Sequence, residues 1–276
     1  MPYKKLLTIQ DISCVGQCSL TVALPILSAC GMETCILPSA VLSTHTAGFS
    51  GFTVRDLTDD MPAIRDHWLK EGIAFDAIYT GYLGSLYQIE LVKSIFASLK
   101  AEGGITIVDP AMADNGQLYG AFNMEYAKAM ATLCGQADIT VPNITEACMM
   151  TGMEYKESYD ESYIQTLLEK TAALGAKAVV LTGVSYAPDR TGVVVYRDGK
   201  QTYYEHYKFP KGCHGTGDVY ASAFVGALMN ENTPEQSAKI AADYTLKCIE
   251  NTQDDPDHWY GVKFETALTD LMKMIK

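Results

Sequence analysis

The chain has 276 residues, 48% of them hydrophobic and 20% charged, which is ample for a large buried core. Its 33 acidic side chains outnumber 21 basic ones, leaving a formal charge of −12. That field repels nucleic-acid backbones and anionic lipid, and the densest basic spots, at 4–5 and 208–211, are too small to reverse it.

An apolar strand over 6–9 opens the chain and hands over to Gln10-Asp11. Residues 12–32 then carry no charged side chain, close to the length that spans a bilayer. Ser13, Gly16, Gln17, Ser19, Thr21, Pro25 and Ser28 make the stretch too polar for that, and Asp11 interrupts any signal-peptide core after Lys4 and Lys5. It reads instead as a buried helix over 20–29 in a cytoplasmic protein with no membrane partner. Eight cysteines (Cys14, Cys18, Cys30, Cys35, Cys134, Cys148, Cys213 and Cys248) lie mostly in apolar runs, where a reduced thiol acts as a small hydrophobe. Cys14 and Cys18 could face each other across one helical turn, but no histidine pair with zinc spacing accompanies them.

Further strands are expected over 34–37, 77–80, 105–108, 139–141 and 178–181, with helices over 90–100, 124–133, 164–174 and 219–229. The alternation predicts an α/β fold with a mainly parallel sheet and helices on both faces. At 192–206, Val-rich and Tyr-rich segments flank Asp198-Gly199, which predicts an antiparallel hairpin attached to that sheet. No repeat or linker marks a boundary, so residues 1–276 read as one domain.

The residues just past each strand point to chemistry, because open α/β sheets bind ligands beyond their carboxyl ends. The ends read Gln10-Asp11, then Ser43-Thr44-His45-Thr46 after a longer loop, Thr80-Gly81-Tyr82, Asp109-Pro110, Pro142-Asn143 and Thr182-Gly183. Asp109 and Asp114 place two carboxylates after one strand, and Asn143 with Glu146 adds an amide and a third carboxylate after the next. Together they suit Mg²⁺ carried by a nucleotide; singly each motif is also ordinary turn and helix-cap chemistry.

The sharpest motif is Gly212-Cys213-His214-Gly215-Thr216-Gly217-Asp218, leading straight into a helix. Glycines allow close backbone approach, and free N–H groups at a helix start form an anion hole. Asp218 beside it suits a general base that deprotonates an alcohol attacking a γ-phosphate; the alternative is a plain helix N-cap. The P-loop, the dinucleotide fingerprint, H-E-x-x-H and G-x-S-x-G are all absent. The histidines His45, His67, His206, His214 and His258 look scattered, with His258 in a solvated acidic loop.

These segments, in this order, resemble the pyridoxal/pyridoxamine kinases of the ribokinase superfamily, which also contains hydroxymethylpyrimidine kinases. Gly215-Thr216-Gly217-Asp218 is the superfamily marker. His45-Thr46 with Gly81-Tyr82-Leu83-Gly84-Ser85 narrows the likeness to the vitamin B6 branch. The resemblance implies a ribokinase-like three-layer α/β/α fold and ATP-dependent phosphorylation of a 5′-hydroxymethyl group, commonly by a homodimer. It implies Asp218 as base, and the amides of Gly215, Thr216 and Gly217 as the phosphoryl cradle. Asp109, Asp114 and Glu146 would organise Mg²⁺ and a monovalent cation. Tyr119, Asn143, Thr182 and Gly183 would meet ATP, while Thr46 and Tyr82 would contact the pyridine ring.

Two residues depart from the pattern. Asp11 stands where many pyridoxal kinases have Ser at the ring nitrogen, so it is expected to pair with a protonated ring nitrogen or an amine, the alternative being a helix cap. Ala113 replaces a common Gly, which stiffens its loop. Relatives that form a thiohemiacetal place cysteine where this chain has Asp218, so Cys213 is not expected to be a nucleophile. Rival readings are a hydroxymethylpyrimidine kinase, a non-catalytic B6 carrier and an oxidoreductase; the four acidic residues argue against the second, and the absent dinucleotide fingerprint against the third.

Overall fold

In the computed structural model, residues 3–210 and 212–275 are described, so Lys211, one end of the second basic spot, lies outside them. The elements run β1 (Lys5–Ser13), α1 (Leu20–Ala29), β2 (Glu33–Leu42), β3 (Val54–Asp56), α2 (Met61–Lys70), β4 (Phe75–Thr80), α3 (Leu86–Leu99) and β5 (Lys100–Val108). A small hairpin comes next, β6 (Ala113–Asp114) and β7 (Gln117–Leu118), then α4 (Met124–Cys134), β8 (Ile139–Thr140), α5 (Ile144–Thr151) and α6 (Glu161–Ala172). The chain ends with β9 (Ala178–Val184), β10 (Arg190–Arg197), β11 (Lys200–Tyr207), α7 (Thr216–Met229), α8 (Pro234–Glu250) and α9 (Leu268–Ile275).

Nine strands form one sheet in the order β11-β10-β9-β8-β5-β4-β1-β2-β3. The six from β9 to β2 are parallel, while β10, β11 and β3 add antiparallel edges. The expected hairpin is β10–β11; Asp198 and Gly199 at its tip both have positive φ (53° and 73°), as a two-residue hairpin turn requires.

Strand pleating divides the apolar side chains between two faces. Ala178 and Val180 of β9 join Val22 and Ile26 of α1, Phe224 of α7 and Tyr244 of α8 in one core. Val179 and Leu181 face the opposite way, onto Ala147 of α5 and Leu167 of α6. On that same face Leu7 and Ile9 of β1 pack with Val92 of α3 and Met130 of α4. Each large side chain fully buried this way contributes about 1.5–3 kcal/mol. The result is the expected three-layer α/β/α arrangement.

Three local expectations need correction. Cys14 and Cys18 lie in the irregular segment between β1 and α1, so no helical turn sets them face to face. The segment Ser43-Thr44-His45-Thr46 follows β2 directly, with no longer loop before it, because β2 extends to Leu42 through pairing with β3. Helices α2, α5, α8 and α9 add to those anticipated. Chain order reverses between β1, whose next strand lies on one side, and β4, which lies on the other; the crevice outside their carboxyl ends is the switch point.

Candidate active site

The N-terminus of α7 faces this edge. Gly215 is its N-cap, at φ 75°, and a β-carbon there would collide with the carbonyl oxygen of Gln17. The side-chain-free cap lets the segment 14–19 lie directly against the helix end. Thr216, Gly217 and Asp218 form the first turn, where backbone N–H groups lack intrahelical acceptors and the dipole is positive. Asp218 is the third helical residue and not the N-cap, so the plain capping alternative does not hold. Burial pushes its carboxyl up to about 7, opposed by the Ser19 N–H, reinforced by the charge of Asp11 and opposed again by the Cys18 thiol. A carboxyl in that range both accepts and releases a proton near neutral pH.

Asp11 is only 4% exposed and sits in a β-bulge, where Ser39 and Ala40 of β2 oppose it alone. Its Oδ2 accepts from Ser13 Oγ at 3.0 Å. Burial raises its pKa against the hydroxyls of Ser19 and Ser13. It caps no helix: the N-cap of α1 is Ser19, without a side-chain cap bond. The Tyr82 hydroxyl is pushed up by burial and then by the charge of Asp11, so both line the crevice, and the Tyr82 ring lies 5.4 Å from that of Phe122.

Thr46 is exposed at the rim beside the buried His45. His45 Nδ1 accepts from the Ala47 N–H at 3.1 Å, which leaves Nε2 to donate to the Tyr260 carbonyl at 2.6 Å. Both ring nitrogens are thus engaged in fixing loops. The histidines are less scattered than their positions suggest, since the rings of His45 and His214 lie 5.9 Å apart. His258 is half-buried, its ring 4.5 Å from that of Tyr260.

Asp109, 8% exposed after β5, accepts from the Ala111 N–H at 3.2 Å. Burial, then the charges of Glu146 and Asp218, hold its carboxyl well above the usual range. Glu146 accepts from the N–H groups of Asn143 and Met112, both at 2.9 Å, and burial pushes it up to about 7. The Asn143 side chain accepts from the Glu146 N–H at 2.9 Å and donates to the Ala113 carbonyl at 2.8 Å. This pair is therefore a capping box for α5, and the cap reading holds for it.

Asp114 is exposed and turned to the N–H and side-chain amide of Asn115 at 2.8 and 3.0 Å. Among the described residues no group of three or more His, Cys, Asp or Glu could hold a metal ion. Asp109 and Glu146 are buried within electrostatic reach of each other, and the charge of Asp114 also reaches Glu146. Hard oxygen donors whose charges repel fit a cation that completes its shell with phosphate and water.

Tyr119 is 44% exposed, yet burial of its hydroxyl and the charges of Glu146, Asp114, Asp109 and Asp218 all raise its pKa, placing that hydroxyl in the same field. Thr182 donates its N–H to the Pro142 carbonyl at 2.9 Å and bridges to Asn143, with Gly183 exposed next to it. Along the edge, Asp11 and Tyr82 (β1, β4) lie at one end, Asp109 (β5) in the middle, and Asn143 with Thr182 and Gly183 (β8, β9) at the other. Cys213 is half-buried and packs on the core around α7 and α8. The structure adds what sequence spacing missed: Gln17 and Cys18, about two hundred positions away, pack against the Gly215 cap of the helix that carries Asp218.

Known proteins share this fold. A protein from Bacteroides thetaiotaomicron, provisionally named a phosphomethylpyrimidine kinase and crystallised with pyridoxal, superposes with a TM-score of 0.91 at 35% identity, over 98% of this chain and 96% of that one. Pyridoxal kinase from Lactobacillus plantarum gives 0.91 at 30% identity, over 98% and 97%. The hydroxymethylpyrimidine/phosphomethylpyrimidine kinase of Bacillus subtilis is 24% identical over 220 residues, 78% of this chain and 77% of that one. The phosphomethylpyrimidine kinase family model matches residues 26–261. With a parallel sheet, a glycine-capped helix and a half-buried aspartate in its first turn, the chain belongs to the phosphomethylpyrimidine kinase family.

Proposed function

We propose that the protein, acting as a single kinase domain over 1–276, transfers the γ-phosphoryl group of ATP to the 5′-hydroxymethyl group of pyridoxal, pyridoxine or pyridoxamine. The observation that carries this reading is Asp218, half-buried in the first turn of α7, where backbone N–H groups lack intrahelical acceptors. Asp218 takes the proton of the attacking hydroxyl, while the amides of Gly215, Thr216 and Gly217 hold the equatorial oxygens of the phosphoryl group in flight. Asp11, Thr46 and Tyr82 orient the pyridine ring. Asn143, Thr182, Gly183 and Tyr119 contact the nucleotide at the other end of the edge. Asp109 and Glu146 would hold Mg²⁺, with Asp114 and a monovalent cation further out; bound there, Mg²⁺ neutralises phosphate charge.

A second reading keeps this chemistry and changes the acceptor to hydroxymethylpyrimidine, favoured by the family match and the Bacillus subtilis relative. The B6 reading is supported by Asp11 and Tyr82 in the crevice and by the pyridoxal-containing relative. The same proposal carries a cytoplasmic homodimer; among the described residues no helix is long and apolar enough to cross a membrane.

Substrate-dependent ADP release with Mg-ATP, measured for the three vitamers and for hydroxymethylpyrimidine, separates the readings. A kcat/KM at least about tenfold higher for a B6 vitamer is expected. A preference for hydroxymethylpyrimidine reverses the assignment, and no release with any acceptor removes both.

A further inference from the structure

Residues 81–84, between β4 and α3, have no regular secondary structure, yet they carry Tyr82 at the switch-point crevice. Bonds from other segments hold them. The Gly81 N–H donates to the Ile9 carbonyl at 3.2 Å, and the Tyr82 carbonyl accepts from Ser39 Oγ at 3.5 Å. The Leu83 carbonyl accepts from the Tyr126 hydroxyl at 2.6 Å, and the Gly84 N–H donates to Gln88 Oε1 at 2.7 Å. The Tyr126 ring is stacked on Phe122 at 3.9 Å, so the same pair of rings also backs the Tyr82 ring.

Gln88 is the third residue of α3 and is fully buried. Ser85-x-x-Gln88 has the spacing of a capping box, and Ser85 Oγ accepts from the Gln88 N–H at 3.2 Å. The Gln88 side chain, however, reaches past the cap to Gly84, and its Nε2 leaves the helix altogether. It donates to Thr58 Oγ1 at 2.7 Å and to the Ser39 carbonyl at 3.2 Å. Ser39 is one of the two β2 residues that oppose Asp11 in the bulge. Because β2 and β4 flank β1, this one amide ties together the two sides of the strand that carries Asp11. Capping α3 needs neither of the bonds made by Nε2.

We propose that Gln88 is a positioning residue for the acceptor: its bonds to Gly84 and Ser39 set the spacing between the Tyr82 loop and the strand opposite Asp11, and so the width of the slot that receives the ring. The proposal rests on Tyr82 contacting that ring, as in the proposed function. An apolar side chain of similar length leaves the Gly84 N–H and the Ser39 carbonyl without this partner. The loop then gains freedom that acceptor binding must remove, while Asn143, Thr182 and Gly183 at the far end of the edge are untouched.

The test is a double-mutant cycle on acceptor KM in the full chain, using Gln88→Met, Tyr82→Ala and the two combined. Each variant is checked for folding by its Tm and assayed with Mg-ATP and the B6 vitamer that the parent turns over fastest. Gln88→Met should raise acceptor KM about fivefold, with kcat within about twofold and the KM for ATP unchanged. In the Tyr82→Ala background the same replacement should add less than about twofold, because its effect runs through Tyr82. If Gln88→Met does not fold, Gln88→Glu, which keeps the shape but loses at least one N–H donor, carries the same comparison. A folded Gln88 variant whose acceptor KM stays within about twofold of the parent, or whose full rise persists beside Tyr82→Ala, overturns the proposal and leaves the kinase reading standing. A parent chain that turns over no vitamer, or a Tyr82→Ala variant with parental acceptor KM, removes the reading on which the proposal stands.

Discussion

At the scale of single residues, two carboxyl groups share one crevice and both are held above their usual range, mainly by burial. Asp218 has the helix end beside it; Asp11 has the hydroxyls of Ser19 and Ser13, its own backbone and the nearby His45 ring, an arrangement that a cationic ligand would complete. A protonated pyridine nitrogen or an alkylammonium group would supply that charge. Replacing Asp11 with Ser should lower kcat/KM for pyridoxamine relative to pyridoxal by about tenfold in steady-state kinetics; an unchanged ratio would contradict the pairing. Asp218 was legible in the sequence because its glycines and the helix start are contiguous with it. Cys18 was not, since nothing in local spacing reveals which segment will lie against Gly215.

At the scale of elements, helix caps explain both what was readable and what was misread. Asn143-x-x-Glu146 is a capping box and also belongs to the candidate site, so the sequence pattern alone could not separate the roles. The helix α8 escaped notice because its buried face is mostly small and polar, with Ser237, Ala238, Ala241, Ala242 and Thr245, although Thr233, Pro234 and Gln236 form a clear start signal.

The short strand β8 shows a different device. The Asp138 carboxylate accepts from the N–H and hydroxyl of Thr106 in β5 at 2.8 and 3.0 Å and from Lys177 at 2.7 Å. Burial opposes its ionisation, but Lys177 and Thr106 outweigh it and hold the carboxyl below its ordinary range. With the folded value depressed, the stabilisation is present above the ordinary carboxylate range and is lost as pH falls through the folded value. Asp138→Asn is therefore expected to cost about 1 kcal/mol near neutral pH in urea unfolding, the Lys177 share being small because its side chain is 81% exposed. The cost should shrink in acid; a cost independent of pH would show that the charge is irrelevant.

At the scale of the whole molecule, the alternation of apolar runs was enough to predict a layered parallel sheet, and the observed order places Asp11, Gly81 and Tyr82 at its switch point. Strand order itself was not readable, because it depends on which helices cover which face. Nor was the exposure of Asp114, whose carboxylate the β6–β7 hairpin turns toward the amide groups of Asn115. The sheet brings Asp11 with Tyr82 and Asn143 with Thr182 and Gly183 to opposite ends of one edge with Asp109 between them, and the proposed transfer runs along that edge.

The most direct test of that organisation is kcat for Asp218→Asn, with nucleotide binding measured on the same preparation. The amide keeps the shape of the side chain but cannot take the hydroxyl proton, so kcat should fall by about a hundredfold or more while nucleotide Kd stays within about twofold. Near-parental turnover in the Asn variant would contradict the account.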